Sequence, residues 1–161
     1  MKRIGLIALA SLIVVFPACA RKATITTSNG SATVSTSADN STTTITTNQG
    51  SLTAGKDAVD LSKLPVPAYP GAQTTTGSLT INGANGSGQM VSLKTTDSFD
   101  TVYNWYKAQL PSGAGQMKTS SGGNDFAEFV VAGKNASVML SSKGATETDI
   151  VITVSTTPPP K

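Results

Sequence analysis

Apolar and polar residues alternate along much of the C-terminal part of the chain. "SLTIN" (Ser78–Asn82) and "QMVSLKT" (Gln89–Thr95) have the period of two that marks half-buried strands. "DFAEFVV" (Asp125–Val131), "ASVMLS" (Ala136–Ser141) and "DIVITVS" (Asp149–Ser155) repeat it. "QMKTSS" (Gln116–Ser121) adds a short edge strand, and Gly133-Lys134-Asn135 and Lys143-Gly144-Ala145 read as hairpin turns. One stretch has a different period. Phe99, Val102, Tyr103, Tyr106 and Leu110 recur at helical spacing, which predicts an amphipathic helix over Ser98–Leu110 with Trp105 on the shoulder of its apolar face. Asp97 or Ser98 caps it, Asp100 suits its dipole, and Pro111 ends it. The expected fold is α+β: one helix packed on an antiparallel sheet of about five or six strands, over residues 56–157. The terminal residues 158–161, "PPPK", are expected to be disordered, because proline lacks the donor a sheet needs.

Upstream, the pattern thins to Thr, Ser, Asn and Gly. "TITTSNGSAT" (Thr24–Thr33) recurs as "TITTNQGSLT" (Thr44–Thr53), an offset of 20 residues. Each copy reads as strand, turn, strand, with Asn29-Gly30 or Gln49-Gly50 at the bend. Residues 19–55 are therefore expected to form a Thr/Ser-rich β-hairpin or a flexible repeat segment that serves as a tether. Near the start of the domain lies "PVPAYPGAQ", in which Pro70-Gly71 suits the centre of a type II turn and gives Tyr69 a fixed exit direction.

The first residues differ again. Lys2-Arg3 precede an uncharged apolar run, Ile4–Phe16, and small residues close it at Pro17-Ala18-Cys19-Ala20. This is the layout of a secretion signal, here residues 1–18, and the run is shorter than the roughly 20 apolar residues a spanning helix needs.

Cys19 is the only cysteine in the chain. "FPAC" resembles the lipobox of bacterial lipoproteins, which implies diacylglycerol on the Cys19 thiol, cleavage before it, and a cell-envelope protein attached to the membrane. In that family Ala20, rather than an Asp, after the cysteine implies the outer membrane where the host has one. A second reading remains open: Ala18-Cys19-Ala20 also fits ordinary cleavage after Ala20, giving a secreted or periplasmic protein. "PxYPGA" followed by "TxDSFxxVxxWYxxxL" resembles a set of small bacterial secreted or lipoprotein domains of unassigned function. The matching residues are Pro67, Tyr69, Pro70, Gly71, Ala72, Asp97, Ser98, Phe99, Val102, Trp105, Tyr106 and Leu110. That resemblance implies an envelope location and brings no catalytic residues. The "TSNGS" segment is weakly similar to the rungs of adhesin-like β-solenoids.

Charge and chemistry narrow the picture further. Without Lys2 and Arg3, ten basic residues stand against nine acidic ones, a net +1 with no basic stripe, so nucleic acid is not an expected partner. The chain has no histidine, which excludes Ser-His-Asp and Cys-His catalysis and removes the commonest metal ligand. Ser62-Lys63 are neighbours, and a Ser/Lys hydrolase reading rests on them, although adjacent residues in an extended segment point apart. Asp125 and Glu128 should face opposite sides of a strand, while Glu147 and Asp149 could share one face as a weak cation site. "GANGSG" (Gly83–Gly88) leads into a strand rather than a helix, which favours a hairpin loop over a phosphate cradle. Trp105 and Tyr69 are the candidate binding surface. The chain is thus expected to be a lipid-anchored, non-catalytic binding or interaction module without metal or cofactor. Its expected partners are the membrane, through Cys19, and an envelope protein or glycan. The alternatives are an adhesin-like structural protein and a Ser/Lys-type hydrolase.

Overall fold

The structure, a computed structural model, describes residues 21–27, 30–84, 86–112, 114–144 and 146–155. The signal at 1–18, Cys19 and the tail at 158–161 lie outside the described residues.

Four strands come first: β1 (Lys22–Thr27), β2 (Gly30–Thr36), β3 (Thr42–Thr47) and β4 (Gly50–Gly55). A loop segment with one 3-10 turn, Leu61–Lys63, leads to β5 (Gln73–Thr74), β6 (Leu79–Gly83) and β7 (Gly86–Thr95). The helix α1 (Phe99–Gln109) follows, then β8 (Gly115–Ser121), β9 (Asn124–Val131), a 3-10 turn at Ala132–Lys134, β10 (Ala136–Ser142) and β11 (Thr148–Ser155). Ten of these strands run side by side in the order β1-β2-β3-β4-β6-β7-β11-β10-β9-β8, with β5 on β7, and every pairing is antiparallel.

This corrects the expected α+β fold of one helix on about five or six strands. Among the described residues the chain is mostly antiparallel sheet, eleven strands with a single α-helix. The repeat segment accounts for the difference, because its strands belong to the same sheet. β4 pairs with β6 from Gly50↔Gly83 to Ala54↔Leu79, so each satisfies the other's open edge. Two glycines make the close approaches. A Cβ on Gly50 (φ 150°) would collide with the Asn82 carbonyl oxygen, and one on Gly55 (φ 136°) with that of Ser41. The bend joining the two repeats is fastened as well. Asp39 Oδ1 accepts from Ser37 Oγ (2.6 Å) and from the Ser41 amide (3.0 Å), and Asn40 takes the left-handed conformation that asparagine tolerates (φ 57°). These bonds, Ser37's foremost, hold the Asp39 carboxyl down at about 2.

Antiparallel partners share a face, so the register carries two surfaces across the whole sheet. Over β7, β11, β10 and β9 one surface is the core. Val91 and Leu93, Ile150 and Ile152, Val138 and Leu140, and Ala127 and Phe129 are buried there beneath α1. The helix contributes Phe99, Val102, Tyr106 and Leu110, and the loop before β5 contributes Val59, Val66 and Tyr69. Ser98 caps α1 by accepting from the Thr101 amide, and the helix ends at Leu110, ahead of Pro111.

Past β7 the same surface turns hydroxylic. Thr80, Thr53, Thr44 and Ser35 stand in one row and Asn82, Ser51, Thr46, Thr33 and Thr24 in the next. Cross-strand hydroxyl pairs join Thr44 to Thr53 and Thr24 to Thr33, each at 3.1 Å. The opposite surface has no helix on it. The exposed large apolar side chains of the described residues, Ile25, Ile45, Leu52, Ile81, Met117, Val130 and Met139, all lie on it. No helix among the described residues is long and apolar enough to cross a membrane.

Candidate functional site

Tyr69 and Trp105 do come together. The Pro70-Gly71 turn (Gly71 φ 76°) sends Tyr69 under α1, where its ring meets Trp105 edge-on at 5.2 Å; Trp105 in turn meets Tyr106 edge-on at 4.8 Å. Tyr69 is only 8% exposed, and its hydroxyl donates to Asp97 Oδ2 at 2.6 Å. Burial first, and then the Asp97 carboxylate, push its hydroxyl up to about 12. Tyr69 therefore holds the loop on the helix, and the accessible part of this pair is Trp105, which is half-buried. The aromatic packing continues through Tyr106, Phe129, Tyr103 and Phe99. Lys118 of β8 closes its far end. Its Nζ lies 4.7 Å from the Tyr103 ring centre and 5.4 Å from that of Phe99, and donates to Asp100 Oδ1 at 2.7 Å. That bond to Asp100 holds the ammonium above its ordinary range.

Ser62 and Lys63 share one acceptor. Ser62 Oγ donates to Asp60 Oδ1 at 2.7 Å, and Lys63 Nζ pairs with Asp60 Oδ2 at 3.1 Å. Ser62 and then Lys63 lower the Asp60 carboxyl. Both Ser62 and Lys63 thus turn to Asp60, and no hydrogen bond joins Ser62 Oγ to Lys63 Nζ. The remaining acidic residues are dispersed. Asp125 lies opposite Ser120 on the helix side of the sheet and Glu128 opposite Met117 on the other. Glu147 pairs with Lys143 at 3.5 Å, and Asp149 stands opposite Lys94. Among the described residues no three His, Cys, Asp or Glu side chains gather as a metal would require. Gly83 and Gly86 close the β6–β7 hairpin, and the described residues of the "GANGSG" stretch run from strand to strand.

Two clefts meet at Lys134, on the 3-10 turn between β9 and β10. The mixed one, about 310 Å³, sets Lys63, Asn82, Gln89 and Lys134 beside the apolar Pro65 and Val154. The apolar one, about 360 Å³, runs from Pro111 and Ala114 past the end of α1 to Val131, Ala132 and Lys134. Lys134 Nζ donates to the Pro65 carbonyl at 2.6 Å, which ties the loop to the turn 69 residues later. An ammonium has three donors, so two remain for a ligand. Hydrogen-bonding groups beside an apolar wall fit a small polar or anionic molecule with one apolar end. Sequence reasoning missed this site, because its lining comes from five separate stretches with no common motif. The only signal was a lysine in a predicted turn.

No protein-family model, no curated protein and no solved structure matches the chain.

Proposed function

We propose that the chain is a cell-envelope lipoprotein, anchored through a lipid on Cys19, whose β-rich domain binds a partner rather than transforming a substrate. The observation that carries this reading is the position of Cys19, the single thiol in the sequence, directly after an apolar run and small residues. From Cys19 to Lys22, where β1 begins, the chain spans at most about 10 Å. An anchor there holds the edge of the sheet at the bilayer, with Arg21 and Lys22 beside the headgroups. The binding role draws support from the clefts at Lys134, from the accessible part of Trp105, and from the sharing of Asp60 by Ser62 and Lys63. A glycan or an envelope protein suits such a surface.

The test is fractionation of cells expressing the full chain with a radiolabelled fatty acid. The wild-type protein should sediment with membranes and carry label; Cys19→Ser should be soluble and unlabelled. A serine variant that stays in the membrane fraction overturns the anchor. The small-x-small sequence Ala18-Cys19-Ala20 supports a second reading, release into the periplasm or medium. Under that reading the mature chain begins at Arg21 and wild type carries no label, which N-terminal mass spectrometry decides.

A further inference from the structure

We propose that β1 is the pairing edge of a symmetric homodimer, in which two copies join β1 to β1 and make one continuous sheet. Among the described residues β1 has a neighbour on one side alone, whereas β3, which carries the same tetrapeptide Thr-Ile-Thr-Thr, is flanked by β2 and β4. The repeat thus supplies its own comparison. Ile45, with strands on both sides, is 39% exposed; Ile25, its counterpart on the open edge, is 64% exposed, the highest value among the exposed large apolar side chains. A strand added beside β1 flanks Ile25 on both sides, as β2 and β4 flank Ile45.

The edge also lacks the usual protections. Proline, bulges and charged residues within an edge strand deter pairing. "KATITT" has no proline and no acid, and its one lysine stands at its start, while the opposite edge strand β8 carries Lys118 at its centre.

The hydrogen-bond parity fixes the register. The Thr36 amide donates to the Arg21 carbonyl at 2.8 Å, which makes Arg21 a hydrogen-bonded partner of β2. Bonded positions alternate in an antiparallel ladder, so Ala23, Ile25 and Thr27 also point their amides and carbonyls at β2. Lys22, Thr24 and Thr26 point theirs outward. A two-fold pairing through those groups centres on Thr24: Thr24 faces the partner's Thr24, Lys22 faces the partner's Thr26, and Ala23 faces the partner's Ile25. The apolar side chains then meet on the helix-free surface and the hydroxyls on the other. The two Lys22 side chains lie four residues apart along the ladder, about 13 Å, so they do not oppose each other. Face-to-face stacking of the helix-free surfaces would bring the Glu128 side chains into an apolar contact, and the edge pairing buries no charge.

The inference does not rest on the lipid reading, and the test is done without the lipid. In full-length Cys19→Ser protein, each introduced cysteine is the only thiol. Hydrogen-bonded antiparallel partners have Cα atoms about 5.5 Å apart, inside the disulfide range. Mild oxidation should therefore convert Thr24→Cys to covalent dimer, and should do so much less with Ile25→Cys or with Asp57→Cys in an exposed loop. A mixture of Lys22→Cys and Thr26→Cys chains should cross-link to each other. Adding Thr24→Pro to both, which deletes the outward amide and the exposed Thr24–Thr33 hydroxyl bond but no main-chain bond to β2, should abolish that product with the far-UV circular dichroism unchanged. Equal yields from Thr24→Cys and Asp57→Cys, or from Thr24→Cys and Ile25→Cys, would overturn the proposal, as would cross-linking that survives Thr24→Pro.

Discussion

The Tyr69 hydroxyl donates to Asp97 Oδ2 at 2.6 Å across 28 residues of sequence. Asp97 is the residue before the helix cap, and its carbonyl accepts from Thr148 Oγ1 at 2.9 Å. The aromatic loop, the start of α1 and the first residue of β11 are therefore joined through one aspartate. Tyr69→Phe should lower stability by about 1–2 kcal/mol, the scale of a hydrogen bond to a charged but partly solvated group, as read by urea denaturation at pH 7. The pH dependence has a definite sign. The hydroxyl titrates near 10 in the unfolded chain and at about 12 in the fold, so its contribution is complete below pH 10 and is lost as pH rises toward 12. The stability gap between wild type and Tyr69→Phe should narrow across that interval. A constant gap would mean that the bond does not govern the difference.

Tyr106 gives the opposite result. Its ring is fully buried, and its hydroxyl is turned toward the Tyr69 main chain without completing a hydrogen bond. Burial holds that hydroxyl above its ordinary range. Tyr106→Phe removes an unsatisfied polar atom, so stability at neutral pH should be unchanged or rise by up to about 1 kcal/mol. The loss of stability above pH 10 should also become shallower. A loss above that scale in the same denaturation assay would show that the hydroxyl has a partner.

The two repeats share a glycine at equivalent positions, Gly30 and Gly50, with different surroundings. Both have φ in the region that side chains avoid, but only at Gly50 does a Cβ meet backbone, the Asn82 carbonyl across the β4–β6 junction. Gly30→Ala should cost the conformational term alone, about 1–2 kcal/mol. Gly50→Ala should cost about 2–4 kcal/mol and raise amide exchange along β3 and β4. Equal costs would place the constraint in the turns and not at the junction.

Lys134 spans the mouth of the two clefts and holds the Pro65 carbonyl. Lys134→Met keeps the stem and removes the ammonium. Stability should fall by about 0.5–1.5 kcal/mol, the scale of one exposed hydrogen bond, with thermal unfolding as the check. Arginine at the same position should restore it.

How far these features were legible depends on where each is encoded. The helix was readable to within a residue at each end, because its cap, its apolar spacing and Pro111 all lie inside one stretch. The alternating segments became β6, β7, β9, β10 and β11 at nearly the expected limits, since burial of one face imposes a period of two wherever the core lies. The junction of β4 with β6 had no such signature. Ser51, Leu52 and Thr53 look the same in a flexible repeat as in a paired strand, and their partners Asn82, Ile81 and Thr80 lie beyond the loop that separates tether from domain in the sequence. Trp105 was legible on the shoulder of the helix's apolar face, whereas the packing of Tyr69 against it was not. That one would be buried and the other half-buried followed from the Pro70-Gly71 turn, whose direction a sequence does not state.

The pairing of β1 through β4 also has a mechanical consequence. Each of these strands pairs antiparallel with the next, so a pull on the N-terminal end directed across the strands opens their hydrogen bonds one pair at a time, as a zipper opens, and does not load them together in shear. Each repeat of 20 residues then pays out about 70 Å of chain. The pull reaches the core strands only after both repeats have opened and β4 has left β6. Strands that look like a rigid extension of the sheet are thus a reserve of length that yields before the folded core.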